Sequence, residues 1–406
     1  MSASLQSAQP SASTADYSSV GTAVPDHGPP ASATSSACAT GATHSLPLYA
    51  RPDTARPDAV QAAQANGTPL AQAACYSSYR DLRVRLQSVA LQHGTHLPQA
   101  TIALRHYGQS GPLYVVLGGI SSHRALCDEH EGTRGWWHDY VGPGKVLDTR
   151  HCQVLGVDFL GSGASTKPRH LGEWVVSPQD QAQVIVRALQ SLDWLGKRRV
   201  DGLIGSSYGG MVALHWAQRF PHTLSRALVL CAAHRSSPTT SAYRSVQRQI
   251  VRLAHELGDG KQGLQLARAL AMLGFRTPQE LDQRFSQSAK VKQQQVHVAM
   301  DDYLNARGHA YVQQHAANSF YCLSQSCDLH QLDPANINTE LWLGACPEDQ
   351  IIPFADATQL AERAAHLRYF QRIPSRFGHD CFIKETQAIR HILRLFTHQQ
   401  LNATQL

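Results

Sequence analysis

The stretch "DGLIGSSYGGMVALHW", Asp201 to Trp216, decides how the chain reads. Gly205-Ser206-Ser207-Tyr208-Gly209 fits Gly-x-Ser-x-Gly with Ser207 at the centre. A chain of this length yields roughly 0.1–0.2 such matches by chance, so the motif alone is weak. Its context is stronger: "VDGLI" reads as a buried strand and "MVALHWAQRF" as a helix. A strand that turns sharply into a helix lifts a serine onto a strained turn, and the glycines leave space where side chains would collide with backbone. Ser206 falls one position earlier, on the strand, so Ser207 is the candidate nucleophile.

A serine hydroxyl needs a base, and the base needs an acid to orient it. Downstream, "TELWLGAC" and "LRYFQRI" read as strands, each followed by a polar loop. The first loop, "PEDQIIP", supplies Asp349, with Glu348 as its neighbour and competitor; the second, "PSRFGHDCF", supplies His379. Ser, then Asp, then His is the chain order of the α/β-hydrolase triad. An oxyanion hole needs two backbone N–H groups. Tyr208, directly after the nucleophile, is one candidate, and Gly118, Gly119 and Ile120 in "VVLGGISS" compete for the other, with spacing favouring Gly119.

Around these loops the chain alternates strands and helices. "PLYVVLGG", "CQVLGVDF" and "RALVLCAA" are further short apolar runs, and "DQAQVIVRALQSLDWL" is helical. Leu82–Leu86 and Ala100–Tyr107 alternate like an antiparallel pair. This pattern predicts an α/β fold, a mostly parallel sheet flanked by helices, and the chain order of Ser207, Asp349 and His379 is that of the α/β-hydrolase fold. Residues 1–75, rich in Ala, Ser, Thr, Pro and Gln, are expected to be a disordered extension. The sheet core spans 76–235 and 336–400, and the mainly helical interval 236–335 forms a lid over the sheet edge where such folds bind ligands.

Bulk properties exclude several classes. The net charge of +6 is spread rather than clustered, which argues against nucleic acid. No run of 18 apolar residues exists to span a membrane. The N-terminus lacks the apolar region of a secretory signal. Nine scattered cysteines without a Cys-x-x-Cys pair indicate neither zinc nor a disulfide framework, so a reduced, cytoplasmic protein is expected.

From Leu113 to Phe396 the chain resembles the homoserine O-acyltransferase family of methionine biosynthesis. The resemblance is carried by "GWWHDYVGPGKVLDT", by "GSSYGGMVALHWAQRFP", by the helical segments "GLQLARALAMLGFRTPQELDQRF" and "DDYLNARGHAYVQQHAANSFYCLSQSCDLH", and by "GHDCFIKE". It implies a Ser207–Asp349–His379 triad, Arg268 holding the α-carboxylate of L-homoserine, and Asp380 receiving its ammonium. It also implies acyl-CoA as co-substrate with no further cofactor, and a homodimer. Phe275 stands where relatives often carry a tyrosine, and "FLGSGASTKP" and "LGGISS" also depart from the commoner forms. The segments "LGGISSHR" and "LCAAHRSS" are more similar to the succinyl-transferring branch, so succinyl-CoA is favoured over acetyl-CoA, with Arg124 or Arg235 as candidates to meet its carboxylate. Serine as acceptor and plain ester hydrolysis stay open, as does a non-catalytic binding role.

Overall fold

The structure, a computed structural model, describes residues 77–129, 134–195 and 198–398. The expectation for residues 1–75 lies outside them. Two long strands come first, β1 (Tyr79–Ala90) and β2 (His96–Tyr107), paired antiparallel from Tyr79↔Tyr107 to Ala90↔His96. Then follow β3 (Leu113–Leu117), β4 (Gln153–Val157), α1 (Pro178–Gln190), β5 (Gly202–Ser206), α2 (Tyr208–Arg219) and β6 (Arg226–Leu230). After a helical interval the sheet resumes with β9 (Glu340–Ala345), α8 (Phe354–Arg363) and β10 (Leu367–Arg372), and the described chain closes with α9 (Cys381–Lys384) and α10 (Thr386–His398).

The eight sheet strands lie in the order β1-β2-β4-β3-β5-β6-β9-β10. Pairing is antiparallel from β1 through β4 and parallel from there to β10. The period-2 alternation of side chains explains the two cores. Val115, Leu203 and Val229 face one cluster, with α1 and α2. Val116, Ile204 and Leu228 face the other, with α10. Strands covered on both faces need continuous apolar runs, and β3 to β6 are buried at every position. β10 departs from the fully buried strand expected from "LRYFQRI": it is the sheet edge, and its residues are half-buried or exposed.

Between β6 and β9 stand α3 (Pro238–Glu256), α4 (Gly260–Phe275), α5 (Pro278–Arg284), a hairpin of β7 (Lys290–Lys292) and β8 (Gln295–His297), α6 (Ala299–Val312) and α7 (Ala317–Asp328). The hairpin has no counterpart among the elements expected from the sequence. Its two three-residue strands are exposed throughout, too short and polar to show an alternating apolar pattern. α3 begins with Pro238 after Ser237, whose side chain accepts from Thr240 N–H. The chain leaves and re-enters the sheet side by side: Ser236 N–H donates to His330 O at 2.9 Å and Leu332 N–H to His234 O at 2.9 Å.

Candidate active site

Ser207 sits between the last residue of β5 and the first of α2, with φ 54° and ψ −120°. A non-glycine residue in this region costs on the order of 1–3 kcal/mol, which the surrounding packing must offset. Its N–H donates to Leu230 O on the neighbouring strand at 2.9 Å, and its carbonyl accepts from Gly210 N–H at 2.9 Å. The glycines make the turn possible. A Cβ on Gly205 would lie 2.3 Å from Gly209 O, and one on Gly209 would lie 2.3 Å from Leu117 O. Ser206, by contrast, is a buried strand residue.

Asp349 and His379 come from the loops after β9 and β10, the two strands beyond β6 in the sheet order. His379 Nε2 is 2.7 Å from Ser207 Oγ, and Nδ1 is 2.7 Å from Asp349 Oδ2. The second carboxylate oxygen of Asp349 accepts from the N–H groups of Ile351 at 2.7 Å and Ile352 at 3.0 Å, which fixes its rotamer. Because Asp349 is acceptor-only when ionised, Nδ1 carries the proton and Nε2 presents its lone pair to the serine hydroxyl. Glu348, the competitor, accepts instead from Ser375 N–H at 2.9 Å and so braces the histidine loop. Burial by itself lowers the pKa of His379, but the charge and hydrogen bond of Asp349, with the charge of Asp380, outweigh it and the net direction is upward.

The oxyanion candidates also converge. A Cβ on Gly119 would stand 3.8 Å from Ser207 Oγ, so the loop after β3 lies directly beside the hydroxyl. Gly209 N–H donates to Gly118 O at 2.9 Å and ties that loop to α2. Tyr208 is the first residue of α2, where backbone N–H groups have no acceptor within the helix.

The cavity holding Ser207 and His379 is walled by Met211, Leu270, Phe275, Phe320 and Ile351, an apolar lining interrupted by two guanidinium groups. Arg268 on α4 is one. It lies over the rings of Phe275 at 5.1 Å and Tyr311 at 4.9 Å, and burial lowers its pKa. Among the described residues no carboxylate pairs with it. Arg244 on α3 is the other, and the sequence reading missed it. Arg244 Nε is 2.6 Å from Asp328 Oδ1, while Arg248 Nη1 is 2.7 Å from Asp328 Oδ2. Two cations share one anion, which leaves a positive surplus at this wall.

Three placements differ from the sequence expectation. Asp380 does not line this cavity; its carboxylate lies 2.9 Å from Arg276 Nη2, a buried guanidinium just past α4 that requires a counter-charge. Arg124 is held by Asp158 at 2.7 Å and Asp81 at 3.2 Å, and Arg235 by Asp356 at 2.8 Å. Neither borders the cavity, because each satisfies an acidic group elsewhere in the fold. Only tertiary packing decides which arginine of a lid reaches a site.

Residues 126–261 match the family model described as the alpha/beta hydrolase fold. A homoserine O-succinyltransferase of Xanthomonas campestris pv. campestris is 34% identical over 345 residues, covering 83% of this chain and 91% of that protein. A homoserine O-acetyltransferase of Thermus thermophilus is 31% identical over 286 residues, covering 65% of this chain and 72% of that protein. Among solved structures, homoserine O-acetyltransferase from Bacillus anthracis superposes with a TM-score of 0.71 at 16% identity, covering 80% of this chain and 99% of the other, and so supports the fold. With the chain matching relatives of both acyl types over most of their length, it belongs to the homoserine O-acyltransferase family of the α/β-hydrolase fold.

Proposed function

We propose that the protein is a homoserine O-succinyltransferase working through a succinyl-Ser207 intermediate. His379 Nε2 takes the proton of Ser207 as Oγ attacks the thioester carbonyl of succinyl-CoA. The oxyanion faces the N–H groups of Tyr208 and the Gly119 loop. The C–S bond breaks, the CoA thiolate receives the proton from His379, and the succinyl ester remains on the serine. The hydroxyl of L-homoserine then gives its proton to His379 and attacks the ester, and Ser207 regains its proton as O-succinylhomoserine leaves. Arg268 is assigned the acceptor's α-carboxylate, which suits a planar guanidinium that no carboxylate pairs with among the described residues. The apolar walls exclude water that would otherwise compete for the acyl-enzyme.

The observation that carries the succinyl assignment is Arg244, a cation on the cavity wall beside a carboxylate it already shares with Arg248. An acetyl group has nothing to offer that charge, whereas a succinyl group ends in a carboxylate. Steady-state rates with both CoA esters and homoserine provide the test. The wild type should favour succinyl-CoA in kcat/KM, and Arg244→Ala should lower that preference about tenfold or more, the loss of one charge-assisted hydrogen bond. A wild-type preference for acetyl-CoA overturns the succinyl assignment. Acyl-CoA hydrolysis unaffected by homoserine would make the protein an esterase.

A further inference from the structure

Asp328 is the last residue of α7 and stands behind the wall of the Ser207 cavity rather than on it. Its two carboxylate oxygens serve successive turns of α3. Oδ1 accepts from Arg244 Nε at 2.6 Å, and Oδ2 lies 2.7 Å from Arg248 Nη1. Arg248 is itself fixed, since the same Nη1 donates to Ser324 O at 3.2 Å and to Ser324 Oγ at 3.0 Å. With its second oxygen held in this way, Asp328 meets Arg244 through one oxygen only.

The donors of Arg244 are divided in the same manner. A guanidinium carries its N–H groups in one rigid plane. Nε donates to Asp328, and Nη2 donates to the hydroxyls of Ser236 and, at 3.2 Å, Ser241. Nη1 has no partner among the described residues. Because the plane is rigid, holding Nε and Nη2 also fixes where Nη1 points. Arg244 lines the cavity, so Nη1 is the nitrogen left for a ligand there.

We infer that Asp328 is the positioning residue for acyl selection. It touches no substrate, but it holds Arg244 so that Nη1 is offered to the terminal carboxylate of the succinyl chain. The inference rests on the Arg244 reading proposed above. Without Asp328 the long side chain regains its rotamers. Two guanidinium groups one turn apart on α3 then repel each other, which drives Arg244 toward solvent. This loss of aim outweighs the removal of a negative charge, because a carboxylate is bound through directed N–H bonds.

Steady-state kinetics with succinyl-CoA and acetyl-CoA test this, read as the ratio of the two kcat/KM values. Asp328→Ala should lower the ratio about 3–10-fold, the worth of one ordinary hydrogen bond. The change should come through KM for succinyl-CoA and leave kcat/KM for acetyl-CoA within about twofold. Asp328→Asn fills the same space and keeps the test open if the alanine variant does not fold. It should lower the ratio by a smaller factor, since a neutral acceptor makes the weaker bond. In the Arg244→Ala background, Asp328→Ala should add nothing, because no guanidinium is left to aim. Equal slowing of both esters in the folded variants, or additive losses in the double variant, overturns the inference. If Arg244→Ala lowers the ratio and the Asp328 variants do not, the inference falls and the Arg244 reading stands. An unmoved ratio in Arg244→Ala removes both.

Discussion

Burial and charge pull the His379 proton in opposite directions. Burial disfavours the imidazolium, Asp349 favours it at 2.7 Å, and the balance lies above the ordinary histidine value. A base must be neutral to accept the serine proton, so kcat/KM should rise with pH through this raised pKa and level off above it. In stability the sign reverses. The raised folded-state pKa means that protonated His379 contributes stability fully below the unfolded pKa near 6.5, and the contribution is lost as pH rises through the folded value. Asp349→Asn removes the charge that raises His379 and permits the wrong tautomer. It should shift the acid limb of the pH–rate profile to lower pH and reduce kcat by roughly 10²–10⁴-fold. A profile whose acid limb stays in place would show that Asp349 does not set the base. All three residues were legible in the sequence, because each stands just past an apolar strand and their chain order is fixed by the fold. Arg244 was not, since nothing local separates a helix arginine that turns inward from one that stays in water.

The junction of β5 and α2 depends on backbone approaching backbone. At Gly209 an added Cβ would meet Leu117 O at 2.3 Å and Gly118 O at 2.6 Å, and neither atom can swing aside as a flexible side chain would. Gly209→Ala must therefore push α2 away from β3 and loosen the 2.9 Å bond that holds Gly118. Overpacking of this kind costs about 1–3 kcal/mol. Thermal unfolding should show a lower Tm, and kcat should fall more than KM rises, because the displaced loop carries one of the two proposed oxyanion donors and α2 the other. An unchanged Tm would mean that the strand and helix are not in such close contact. The sequence showed this element directly, through glycines flanking a serine between two apolar runs. The lid was legible only as helical content. Its register against the sheet depends on contacts such as Tyr208 Oη to Ser326 Oγ at 2.7 Å, between residues 118 positions apart.

At the scale of the whole molecule, the lid carries an apolar stripe that is exposed among the described residues. On α3, Tyr243, Val246 and Leu253 recur at helical spacing, Leu257 follows at the helix's C-cap, and Leu253 and Leu257 are 60% and 77% exposed. Leu266 and Leu273 on α4 are also exposed, at 48% and 40%. Apolar faces of this kind mark association surfaces, and the homodimer that the sequence resemblance implies predicts a second copy of the chain here. A stable pair requires about 800 Å² from each partner, an area that two long helices can supply. Tyr243 belongs to both surfaces, half exposed on the stripe and lining the cavity of Ser207. Association through this stripe is therefore predicted to close a wall of the site as well as to cover the helices. Light scattering should give twice the 44.4 kDa of the chain. The double variant Leu253→Asp, Leu257→Asp should return the mass to one chain, because two buried carboxylates without partners oppose the interface. With the wall open to solvent, that monomer should divert more of the acyl-enzyme to water, read as a higher ratio of succinyl-CoA hydrolysed to homoserine acylated. A wild type that already runs as one chain would rule out the pairing, and a monomeric variant with the wild-type ratio would separate the stripe from the site.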